Sequence, residues 1–129
     1  MKRLLQSLLL TILSIGSVWA QVIPQNITEG FRDGNASKLA PNLADRVNLI
    51  LPQGASETDK AKAQKDLSVF FSNTRPSDFQ FMHKSEKGDS GFSIGKLATS
   101  KGDYRVHLLF RTQNNKILIH QIRIDKFNE

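Results

Sequence analysis

Residues 79–125 hold four β-type runs separated by Gly, Asn and Asp turns, and no other stretch limits the fold as tightly. Strands send alternate side chains to opposite faces, and turn residues mark where they stop. The first run, residues 79–84, places Phe79, Phe81 and His83 on one face and Gln80, Met82 and Lys84 on the other. It ends in Glu86-Lys87-Gly88-Asp89-Ser90-Gly91, which is rich in turn formers. The second run is residues 92–99, followed by Ser100-Lys101-Gly102-Asp103, a tight turn in which Gly102 supplies the positive φ. The third is residues 104–112. Asn114-Asn115 then turns the chain, because Asn tolerates left-handed backbone, into a fourth run over residues 116–125. Connections this short make neighbouring strands antiparallel.

A two-residue turn at Asn114-Asn115 sets Leu109 opposite His120 and His107 opposite Ile122. The two histidines then become diagonal neighbours on one face. A slip of one residue would send them to opposite faces. Unbroken alternation also puts Tyr104, Val106, Leu108 and Phe110 on one face and Leu109, Leu118, Ile122 and Ile124 on the other. Two apolar faces need two covers: helices for one, and a partner or second subunit for the other.

At the front of the chain, Met1-Lys2-Arg3 is basic, residues 4–15 are mostly apolar, and Val18-Trp19-Ala20 places small residues at a cleavage position. That is the pattern of a secretory signal over residues 1–20, leaving residues 21–129 as one exported domain in the periplasm or outside the cell. The apolar run is shorter than the roughly 20 residues a spanning helix needs, and no later segment substitutes, so no transmembrane span is expected in the mature chain. With no cysteine, stability rests on packing and hydrogen bonds. Removing Lys2 and Arg3 leaves 18 − 2 = 16 basic residues against 12 acidic ones, a net charge of +4. The basic residues are scattered among acids and form no stripe that would track a phosphate backbone, so nucleic acid is not expected as a partner.

Within residues 21–76, Pro24 suits the first turn of a helix whose Ile23, Ile27 and Phe31 recur at helical spacing before Asp33-Gly34-Asn35 closes it. Asn35 can cap a second short helix carrying Leu39 and Leu43, interrupted at Pro41. Val47, Leu49 and Leu51 alternate as a short strand ended by Pro52-Gln53-Gly54. The longest helix is expected to start with Ser56 as its N-cap, to bury Ala63, Leu67, Phe70 and Phe71, and to stop at Asn73-Thr74-Arg75-Pro76. The order helix, helix, strand, helix, four strands predicts an α+β domain with N-terminal helices packed on a curved antiparallel sheet.

Leu67-Ser68-Val69-Phe70-Phe71, His83-Lys84, and Ile94-Gly95-Lys96-Leu97-Ala98-Thr99 followed by Gly102-Asp103-Tyr104-Arg105-Val106 resemble a family of small exported bacterial proteins built on a domain of unknown function. That family is assigned to the nuclear-transport-factor-2-like, or cystatin-like, cone fold. The resemblance implies a cone-like fold in which a bent sheet wraps helices and leaves a pocket between them. It implies no activity, since similar folds serve isomerases, dehydratases, carriers and dimerisation modules.

An enzyme of the isomerase or dehydratase kind would need an acid or base inside that cone, for which His83, His107 and His120 are the candidates, with Arg105 as an anion stabiliser. The aspartates fall in expected turns, caps and helix exteriors. No histidine pair has metal-ligand spacing, no Gly-x-Ser-x-Gly elbow is present, and no phosphate-cradling glycine loop occurs, so neither metal nor other cofactor is expected. A binding site needs less: His83, Tyr104, Arg105, His107 and His120 supply polar and aromatic groups on the strands for a small or anionic ligand in the cone, with Arg123 beside them. Asp103 and Asp125 can equally satisfy Arg105 and Arg123 across strands. The expectation is therefore an exported binding or interaction domain, with a homodimer through the sheet as one partnership and a pocket-histidine enzyme as the alternative.

Overall fold

The computed structural model describes residues 23–127. The expected signal segment, residues 1–20, lies outside the described residues. Helix α1 (Gln25–Asp33) begins after Pro24 and ends in the left-handed Gly34, where the Gly34 and Asn35 amides donate to the carbonyls of Phe31 and Gly30. Asn35 caps the short α2 (Ala36–Leu39), its side chain accepting from the Ser37 amide at 3.0 Å, and Pro41 tightens the chain into a 3-10 turn (Ala40–Asn42). Strands β1 (Leu43–Leu51) and β2 (Gly54–Asp59) precede α3 (Lys60–Thr74), and β3 (Pro76–Lys87), β4 (Ser90–Thr99), β5 (Gly102–Gln113) and β6 (Lys116–Lys126) complete the chain.

One expectation fails at the start of α3. Ser56, Glu57 and Thr58 belong to β2, which pairs antiparallel with β1, Leu49 opposite Ser56, and the N-cap is Asp59, which accepts from the Lys62 amide at 2.8 Å. Pro52-Gln53 is a hairpin turn, and the run Ser-Glu-Thr-Asp offers three capping residues, Ser56, Thr58 and Asp59, of which only Asp59, the last residue of the strand, adjoins the helix.

The six strands form one sheet in the order β2-β1-β6-β5-β4-β3. It corrects the expected cone and the expected all-antiparallel sheet. β2 and β3 are free edges, the sheet is neither closed nor strongly curled, and β1 runs parallel to β6. Hairpins force the antiparallel pairs between successive strands, whereas β1 reaches β6 only after α3 and four strands have intervened, so its direction is free of any turn. The exposed edge is blunted at β3 by Pro76, Lys84, Lys87 and a bulge at Met82.

The expected turn at Asn114-Asn115 forms, with both residues at positive φ, 52° and 63°. It sets Phe110 opposite Ile119, and then His120 is extruded as a bulge, so that Leu109 faces Gln121 and His107 faces Arg123. The expected His107–Ile122 and Leu109–His120 pairs are thereby corrected. So is the pair of apolar faces: Ile122 and Ile124 join Val106 and Leu108 on the inner face, where all four are fully buried. The Met82 bulge does the same to β3, keeping Phe79 and Phe81 inward opposite Leu97 and Gly95 but turning His83 outward beside Ile94.

Helices α1 and α3 cover the inner face, their stripe of Ile27, Phe31, Ala63, Leu67, Phe70 and Phe71 buried as expected. Phe31 stacks on Phe79 at 5.0 Å between ring centroids and meets Phe71 edge-on at 5.9 Å. Gly95 leaves room for that stack, since a Cβ there would overlap the Phe79 ring. Burying a side chain of this size contributes about 2–3 kcal/mol.

Candidate functional site

The five strand residues singled out from the sequence are not gathered into one pocket. Tyr104 faces inward, 7% exposed, its ring edge-on to Phe70 at 5.3 Å. Arg105, one residue on, faces outward, and its guanidinium lies over the Phe127 ring at 4.6 Å. His107 is also outward, two residues further along β5 and opposite Ile94 of β4. His83 joins it there through the Met82 bulge, and the Phe92 ring sits between the two imidazoles, 6.3 Å from His83 and 6.1 Å from His107. His120 stands apart at its own bulge.

The outer face is thus a defined surface. Its middle carries Phe92 opposite Leu109 and Ile94 opposite His107, with Met82 and Leu109 among the exposed large hydrophobic residues. Charges flank this strip: Lys96 reaches Asp103 at 3.5 Å, and Arg123 holds Asp125 at 2.9 Å. The expected cross-strand pairing of Arg105 and Arg123 does not form among the described residues: Arg123 holds an acid two residues along its own strand, Arg105 lies over a ring, and exposed pairs of this kind contribute little to stability. Arg111, at the far end of β5 from Asp103, has no ion pair among the described residues. Burial pushes the His107 pKa below its ordinary value, the Arg123 and Arg105 charges push the same way, and Asp125 opposes them.

Elsewhere, the His120 bulge faces an irregular stretch of β1 between Leu43 and Asn48, and the two strands part around a groove of about 590 Å3. Arg46, Lys60, Lys116 and Asp45 line it with His120. Sequence reasoning found only the histidine. The others meet because β1 pairs with β6 and α3 starts beside them, and no local pattern announces that pairing. Among the described residues, no cluster of three or more His, Cys, Asp or Glu side chains is arranged to hold a metal ion, and no helix is long and apolar enough to cross a membrane.

The architecture, helices laid against one face of a mixed sheet, matches the nuclear-transport-factor-2-like α+β fold. The same fold occurs in a putative dehydratase of that class from Streptomyces avermitilis, at a TM-score of 0.61 but only 12% identity, covering 81% of this chain and 91% of that one. The chain belongs to DUF4783, a domain of unknown function, whose profile matches residues 24–125. A DUF4783 family protein from Bacteroides ovatus ATCC 8483 is 37% identical, over 85% of this chain and 100% of that one, with a TM-score of 0.80. Another from Bacteroides uniformis ATCC 8492 is 39% identical over 84% and 100%, with a TM-score of 0.78. No curated protein matches the sequence. The expected kind of family, one of unknown function, is the family found.

Proposed function

We propose that the protein is an exported, non-enzymatic interaction domain that pairs with a second copy of itself through the outer face of the sheet. The carrying observation is the uncovered strip of Phe92, Ile94, His107 and Leu109, set between an acid at one end of β5 and an unpaired cation at the other. A two-fold contact requires a self-complementary surface. Asp103 and Arg111 lie four residues to either side of His107, so two β5 strands crossing antiparallel near His107 bring Asp103 of each copy to Arg111 of the other. The basic and apolar start of the chain supports export.

The isomerase or dehydratase alternative calls for a proton-transfer group in the space between helices and sheet. Phe31, Phe70, Phe71, Phe79 and Tyr104 fill that space with rings, while His83 and His107 face away from it. Sedimentation equilibrium over a wide concentration range tests the pairing. A dimer is expected, weakened in Arg111→Asp and restored in the double variant Arg111→Asp/Asp103→Arg. A monomer at every concentration overturns it.

A further inference from the structure

The sheet interrupts itself twice at one place. Between Leu43 and Asn48 β1 advances five residues while β6, from Ile119 to Gln121, advances two, and it is there that β6 extrudes His120. Both are interior strands, paired on each side, so the irregularity is not a blunted edge. Bulges are over-represented beside functional sites, where they re-aim side chains. Here they open the 590 Å3 groove, within the range of small-molecule sites.

A second observation concerns His120 itself. Its ring lines the groove, yet its Nε2 is closed to solvent and has no hydrogen-bond partner among the described residues. A polar atom left in that condition costs free energy that hydration does not return. The third is charge. Lys60 and Lys116 enter no ion pair among the described residues, and Arg46 meets Glu57 only at 3.7 Å, both side chains well exposed. Asp45 is the one acid in the lining, and nearby Asp59 is already engaged as the cap of α3. Three cations against one carboxylate leave a surplus of two positive charges.

We infer that this groove binds a small organic dicarboxylate, whose carboxylates meet Lys60, Lys116 and Arg46 and of which one oxygen reaches the His120 ring nitrogen. Because Nε2 is closed to solvent in the unliganded groove, binding turns the His120 ring to present that nitrogen to the ligand. This site is separate from the outer-face strip and does not depend on self-association.

Succinate is the probe, with succinamide as the neutral isostere and sulfate as an inorganic dianion, followed by calorimetry and by the His120 ring resonances in NMR. Succinate binds saturably and moves those resonances, succinamide does neither, and sulfate binds at least about tenfold more weakly because it spans fewer of the donors. Lys60→Gln/Lys116→Gln lowers succinate affinity about tenfold or more, and Lys87→Gln at the end of β3 leaves it unchanged. His120→Phe weakens succinate while the variant unfolds no more easily than the parent, since the unmatched nitrogen is gone. Sulfate binding as tightly as succinate, an unmoved His120 ring, or equal losses in Lys87→Gln and the double variant would each overturn the assignment.

Discussion

On β5, Tyr104, Val106, Leu108 and Phe110 are 7%, 0%, 0% and 5% exposed, while Arg105, His107, Leu109 and Arg111, which alternate with them, remain open in part to solvent. The two sets share a backbone and differ only in the side to which each residue points. What lies over the strand therefore decides what each set does: α1 and α3 seal the inner face into a core of rings, and no element of the described chain lies over the outer one. The inner face supplies stability, and the outer face is where the proposed second copy would sit.

The sharpest way to break this contrast is to cut into the inner face. Phe31→Ala removes the ring that touches both Phe71 and Phe79, and is expected to cost about 3–5 kcal/mol in chemical denaturation. Gly95→Ala comes next. Its Cβ would strike the Phe79 ring, which is held between Phe31 and Phe81 and has no room to swing, so overpacking should cost about 1–3 kcal/mol. On the outer face, Leu109→Ala is expected to change unfolding of the isolated chain by only about 0.5 kcal/mol, while loosening self-association. A loss from Leu109→Ala as large as that from Phe31→Ala would erase the distinction between the faces.

Acid titration sharpens it further. The folded His107 pKa is depressed, chiefly by burial, so its neutral form is favoured in the native state. Its contribution to stability is complete above the unfolded value of about 6.5 and is lost as pH falls through the folded pKa. The expected result is a decline in stability on acidification that flattens in His107→Gln, read from denaturant midpoints against pH. An equal decline in both proteins would remove His107 from the account.

Most of the elements were legible in the sequence because each carries its own local signal. Gly34 ends α1, Asn35 caps α2, and Asn114-Asn115 makes the final turn, as their chemistry requires. The faces were harder. The buried positions of β6 switch from odd numbers at Ile119 to even numbers at Ile122 and Ile124, with the polar pair His120-Gln121 at the switch. That change of parity is the visible trace of the bulge, but strict alternation smooths it into a second apolar face. The mixed sheet and the cationic groove were less accessible still. Both depend on β1 meeting β6, a pairing made across most of the chain with no hairpin to fix its direction. Arg46, Lys60 and Lys116 look like ordinary solvated charges until that pairing brings them to His120.

Because the protein has no cysteine, a single introduced thiol reports the cover over any chosen position. The most direct measurement is the labelling rate of Leu109→Cys on the outer face, compared with Leu108→Cys on the inner face and with Val69→Cys, half exposed on α3. Labelling of Leu108→Cys should await unfolding, Val69→Cys should react at once at every concentration, and Leu109→Cys should become protected as protein concentration rises. If Leu109→Cys reacts as fast as Val69→Cys at all concentrations, no second copy covers the outer face and the proposed pairing is contradicted.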